Sequence, residues 1–174
     1  MGRTFQALLT ANRRIKVLEL EVEELKTQLE PPVSPIERGT ISNTDVFNLY
    51  AKIFPEGLDK IFLSDTQYEI TSISEIRRFV NWDNVNIFPY ISEIHDCDDF
   101  ALALAGDFAK YPEWSGFPVT FLWSSLEGGH AYSTCIAWKS FVDRTPTVFF
   151  IEPQNDHELV AEMMESIHLW LLPV

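Results

Sequence analysis

Leu8, Ala11, Ile15, Leu18, Val22, Leu25 and Leu29 recur at alternating steps of three and four residues. That two-in-seven stripe predicts a coiled-coil helix within residues 1–30, with 8–29 as its associating face. No Gly or Pro interrupts residues 3–30. Arg14 with Glu19, and Glu21 with Lys26, fall at g and following e positions and are oppositely charged across a parallel seam. Ile15 and Val22 at a with Leu18 and Leu25 at d favour a parallel dimer, while Leu8 and Leu29 at a leave a trimer open. The competing reading is an amphipathic helix packed on its own domain. Pro31, Pro32 and Pro35 then stop the helix and begin a stiff linker, 31–42.

Within 43–174 the apolar period is first helical. Val46, Leu49, Tyr50 and Ile53 predict a helix capped by Ser42 or Asn43 and ended at Pro55 and Gly57. Ser72 with Glu75 reads as a capping box opening a helix with Ile73, Ile76, Phe79 and Val80 on one side. Ala101, Leu102, Ala105 and Phe108 predict a third helix from Asp98 to Lys110. The period then changes to two. Strands are expected over 119–124, 130–138 and 147–152, and Ile167, Leu169 and Leu171 suggest a last one. Gly128-Gly129 turns the first strand into the second. Helices followed by an antiparallel sheet mean an α+β domain.

The chain has 174 residues with 46% hydrophobic and 13% aromatic positions, too apolar for disorder throughout. Its net charge is −13. Residues 1–30 hold five basic and five acidic side chains, so the whole excess lies in 31–174. Phosphate backbones would be repelled, and nucleic acid is not an expected partner. No run of 18 apolar residues is present, so no membrane insertion is expected. Asn12, Arg13, Arg14 and Lys16 interrupt the N-terminal apolar patch, so a signal peptide is not expected and synthesis in the cytoplasm is. A disulfide between Cys97 and Cys135 is not expected in a domain of this size.

Cys97 stands in His95-Asp96-Cys97-Asp98-Asp99-Phe100-Ala101, where a loop enters the third helix. The helix N-terminus favours a thiolate, and the neighbouring carboxylates oppose it. A nucleophilic Cys97 therefore needs a cationic partner. Of the four histidines, His95 is too near along the chain, His157 lies in a polar loop and His168 is out of step with the apolar alternation. His130, starting a strand after Gly128-Gly129, is the best placed. A hairpin turning near Phe141 would set position 130 opposite Glu152, on the same face. Cys135, five residues on, would point to the other face with Ala131, Ser133 and Ala137 as a buried structural thiol. Trp82, Tyr90, Trp114 and Trp123 are candidate cleft residues, though such rings are more often core. For the acids, helix capping and a hard cation such as calcium on Asp98 or Asp99 both stay open; zinc fits poorly.

Asp96-Cys97-Asp98-Asp99-Phe100-Ala101, then Gly129-His130-Ala131, then Ile151-Glu152-Pro153 together resemble the papain-like C-terminal domain of the Marasmius oreades agglutinin family, over roughly residues 43–174. The resemblance implies a papain-like fold and a calcium-dependent cysteine protease with Cys97 as nucleophile, His130 as general base and acid, and Glu152 as orienting carboxylate. Asp98 and Asp99 are the implied metal contributors. The family's sugar-binding trefoil has no counterpart. The upstream Gln of papain-like enzymes has no clear match; Gln67 and Asn86 are candidate oxyanion donors beside the Cys97 N–H. The expected function is an oligomeric cysteine peptidase or amidase acting on protein or cell-wall peptide. The alternative is a structural phage virion component whose papain-like domain is a scaffold. The acids beside Cys97 add an expectation of divalent-ion dependence.

Deleting residues 1–30 should lower the oligomer to monomer mass in sedimentation equilibrium; an unchanged mass would refute the coiled-coil reading.

Overall fold

The computed structural model describes residues 14–16, 18, 34–92, 94–125 and 129–159, and the backbone of 169–173. The chain divides into two units, 1–31 and 32–174. In the first, residues 14–16 and 18 are helical, with Ile15 and Leu18 exposed. The rest of the predicted coiled coil, and His168, lie outside the described residues. Among the described residues no helix is long and apolar enough to cross a membrane.

The second unit is α+β, with three α-helices and two sheets among the described residues. Strand β1 (Gly39–Ser42) pairs antiparallel with β3 (Gln67–Ile70). Thus the expected linker stops short of Ser42: the proline signal ends at Pro35, and Ile41 is already buried. The main sheet comprises β2 (Ile61–Phe62), β4 (Thr120–Ser124), β5 (His130–Trp138), β6 (Pro146–Glu152), β7 (His157–Leu159) and β8 (Leu169–Pro173). Its order is β2-β8-β4-β5-β6-β7, antiparallel except for β2 on β8.

Helix α1 (Asn43–Ile53) starts as its sequence predicts, with the Ser42 hydroxyl accepting from the Asp45 N–H at 3.1 Å. Helix α2 (Ile73–Asp83) does not use the expected box, because no Ser72 side-chain cap forms. Its partner has other bonds: the buried Glu75 carboxylate accepts from the Ile36 N–H (3.2 Å) and the Arg78 guanidinium (2.7 Å). Helix α3 (Cys97–Lys110) begins one residue earlier than predicted, with Asp96 as N-cap.

The sheet separates two cores. Tyr132, Ile136, Trp138, Val148 and Phe150 face Val46 and Tyr50 of α1 and Ile41, Tyr68 and Ile70 of the small sheet. Cys135, Ala137, Phe149 and Ile151 face Ile76, Phe79 and Val80 of α2 and Phe100, Leu104 and Phe108 of α3. Each large apolar side chain so buried contributes about 1.5–3 kcal/mol before entropy is charged against it. Gly39 lies against the Trp138 ring so closely that a Cβ there would sit 2.6 Å from it.

At the end of α2, Asp83 accepts from the Val85 N–H at 2.6 Å, and its second oxygen is buried without a partner. Burial, with the charges of Asp156 and Asp107 adding to it, pushes its carboxyl up to about 7. Asp156, at a left-handed φ of 57°, is pushed up by burial to about 6. A carboxyl whose folded value exceeds its unfolded one holds more protons when folded, so its contribution favours folding at acid pH and is lost as pH rises through the folded value. Asp83→Asn, which keeps the acceptor for Val85, should therefore raise the melting temperature by a few degrees at about pH 8. The gain should vanish near pH 4; equal shifts at both pH values would contradict this account.

Candidate functional site

The main-sheet edge of the site begins at Gly129. Its φ of 124° is a conformation that side-chain-bearing residues rarely adopt, and it delivers the chain into β5 at His130. Imidazole Nε2 lies 2.7 Å from Oε2 of Glu152, and both side chains are about one-sixth exposed or less (16% and 14%). A carboxylate only accepts, so Nε2–H donates and Nδ1 is left with the lone pair. The ring stands edge-on to Tyr132 at 4.4 Å, which restricts its rotation. Glu152 is itself held, with Oε1 accepting from the Gln154 N–H at 3.3 Å.

The register differs from expectation by two. Ser133 pairs with Ile151 and Trp138 with Pro146, which centres the hairpin on Val142 rather than Phe141. Glu152 is therefore diagonal to His130 instead of opposite it. An even slip keeps the face, and a diagonal neighbour is within reach of a glutamate and an imidazole.

Cys97, half-buried, opens α3 and lines one cavity of about 690 Å³ with His130. No hydrogen bond joins its thiol to the imidazole among the described residues. Burial pushes the thiol up, and the Asp96 and Asp98 charges push it further; backbone hydrogen bonds from Ala131 and Asp98 oppose this. At the first turn of α3 the N–H groups lack intrahelical acceptors, so the Cys97 N–H is an available oxyanion donor. Cys135 is fully buried on the other face, and burial drives its thiol far up. Both cysteines are free.

The acids sort differently from the sequence expectation. Asp99 turns back to accept from the Asp96 N–H at 3.2 Å and so serves as a helix cap. Asp98 is hydrogen-bonded to the Asp96 side chain, which raises its carboxyl. Ligand atoms of Asp96, Cys97 and Asp98 lie within 4.8 Å of one another. Two neighbouring carboxylates could offer oxygens to a hard divalent ion without the soft thiol as a ligand. Asp96 and Asp98 are the acids whose oxygens lie closest together, and Asp99, with one oxygen in its capping bond, lines the same cavity.

Neither expected oxyanion side chain lines the cavity. Gln67 pairs with Ser42 in the small sheet, and the Asn86 amide bonds the Asp156 carboxylate. Gln154, two residues past Glu152, does line it and was not singled out in the sequence. Its only signal is the turn after Pro153. Of the four candidate cleft aromatics, Tyr90 and Trp123 line the cavity. Trp114 is fully buried, and Trp82 packs edge-on to Phe79 and Tyr111. The His95 ring lies tilted against Phe100 with centroids 4.5 Å apart, and its Nε2 is buried without a hydrogen-bond partner. His157 is exposed.

No family model matches the chain, and neither does any curated protein. Solved structures do match in fold. A lectin of Polyporus squamosus bound to a human-type influenza-binding epitope aligns with a TM-score of 0.60 and 23% identity, over 76% of this chain and 48% of the lectin. PSL1a in complex with E64 aligns with a TM-score of 0.56 and 24% identity, over 76% of this chain and 50% of PSL1a. The chain spans about half the length of these structures and shares their fold over that half.

Proposed function

We propose that the chain is a papain-like cysteine peptidase or amidase. The observation that supports this best is the His130–Glu152 bond at 2.7 Å, made by an imidazole lining the same cavity as a half-buried cysteine at a helix N-terminus. In this reading Cys97 passes its proton to Nδ1 of His130 and the thiolate attacks a substrate carbonyl carbon. Glu152 stabilises the resulting imidazolium. That imidazolium protonates the leaving amine as the C–N bond breaks, giving a thioester on Cys97. Water, deprotonated by His130, then releases the acid and restores the thiol. Asp96 and Asp98 would hold a divalent ion such as calcium, whose charge would offset theirs and favour the thiolate. The match to PSL1a, solved with E64, supports choosing that electrophile as a probe.

A second reading is favoured by one feature. The thiol is pushed up by its own acidic neighbours and is not bonded to His130. An inherited scaffold in an oligomeric, virion-mounted assembly would have such an unpaired thiol.

Labelling of the full chain separates the two. E64 and iodoacetamide should modify Cys97 and leave Cys135 untouched at neutral pH, and calcium should accelerate the reaction. Cys97→Ala should abolish turnover of a generic peptide, and Glu152→Gln should lower kcat by about a hundredfold. Equal reactivity of Cys97 and Cys135 would eliminate the enzyme reading.

A further inference from the structure

Two turns are joined where α2 ends, and each contains a residue in an unusual backbone conformation. Asn84, directly after α2, has a φ of 63°, and Asp156, in the turn from β6 to β7, has a φ of 57°. They are the only non-glycine residues with positive φ among the described residues. Asn and Asp tolerate this region best, and it persists where the surroundings hold it. Side chains make the join. The Asn86 amide N–H donates to Oδ2 of Asp156 at 2.5 Å, and Oδ1 of Asp83 accepts from the Val85 N–H at 2.6 Å. The other oxygen of each acid is buried without a hydrogen-bond partner. The second turn is the one that follows Glu152. Its Gln154 N–H donates to Oε1 of Glu152 at 3.3 Å, and its Asn155 N–H to the Glu152 carbonyl at 3.2 Å. The His157 N–H closes it on Oδ1 of Asn155 at 2.9 Å. Four hydrogen-bonded residues thus connect Asp156 to the carboxylate that holds His130.

We propose that Asp83, Asn86 and Asp156 form a latch on the turn that follows Glu152, closed while the two acids are neutral and loosened when both carry charge. The charges around the join favour this. Asp107 of α3 and Asp156 both act on Asp83 with their own sign. His157 favours the charged form of Asp156, and burial outweighs it. Arg77 of α2 and Glu158 of β7 line a small cavity with Asp156 but are bonded to each other, so their charges offset. A carboxylate oxygen buried without a donor is costly charged and far less so protonated. Values of about 7 for Asp83 and about 6 for Asp156 lie above the ordinary 3.8, so the closed turn binds more protons than the open one. Closure is therefore favoured at acid pH and is lost as pH rises through these values. The Gln154 N–H then leaves Glu152. The latch concerns the turn and not the reaction, and it stands without the peptidase reading.

Amide hydrogen exchange of the full chain, resolved by residue and expressed as protection relative to the free amide at each pH, tests this. Protection at Gln154, Asn155 and His157 should fall by about tenfold or more between about pH 5 and about pH 8. The amides of Asp143 and Thr145, in the hairpin turn at the far end of β5, should stay within about twofold. Asp83→Asn combined with Asp156→Asn keeps an acceptor for Val85 and for Asn86. It should reduce the fall at the 153–157 turn to within about twofold. Asp83→Asn alone should give an intermediate fall and covers the case of a poorly folded double variant. A flat profile in the unmodified chain would overturn the inference, as would a fall that survives both substitutions. So would an equal fall at Asp143 and Thr145, which would mark general loosening. A Cys97 that resists E64 beside a pH-dependent turn would remove the peptidase reading and leave the latch standing. A reactive Cys97 beside a flat turn would do the reverse.

Discussion

Everything in the domain is organised around a strand that has no wet side. From Ala131 to Trp138 each residue of β5 is buried, and alternation sends successive side chains into two different cores. The apolar wall formed by Tyr132, Ile136 and Trp138 holds α1 and the small sheet, while Cys135 and Ala137 meet α2 and α3. Only His130, at the margin, escapes this double burial. It has a partly exposed imidazole, on a strand whose other residues are all buried.

Strand pairing accounts for the geometry of the His130–Glu152 pair. Both residues sit at strand ends, His130 at the start of β5 and Glu152 at the close of β6, so the hairpin register brings them together, and the Gln154 N–H in the following turn holds the carboxylate. Cys97 is positioned by different means, through the packing of Phe100 and Leu104 of α3 against the opposite face. Two independent constraints therefore meet at one cavity. Asp96 and Asp98 line that cavity beside Cys97.

Much of this was legible in the sequence, for reasons that differ by residue. Cys97, His130 and Glu152 stand at element boundaries, where a change of hydrophobic period is easiest to read. The main strands β4, β5 and β6 announce themselves by β-branched and aromatic runs. Strands β1 and β3 do not, because Gly39–Ser42 and Gln67–Ile70 are four residues long with only two buried positions in the second. The Ser72–Glu75 box failed because Arg78 and Ile36 compete for the same carboxylate. Gln67 and Asn86 lie outside the cavity lining, a matter of position in space that chain order does not carry. Asp96 was read as a neighbour rather than as the partner of Asp98, since helix phase at an N-cap is settled only once the helix start is known to the residue.

The contact between Gly39 and Trp138 has a mechanical meaning. Trp138 ends β5 and His130 begins it, so the two ends are separated by eight strand steps, roughly 26 Å at the usual rise. The chain arriving from residues before Gly39 is seated at the Trp138 end. Force applied through that lead enters the domain at the pole remote from the cavity and passes along a fully buried strand. The seat of that lead and the imidazole are thus opposite ends of one strand, as a handle and a working end are of one tool.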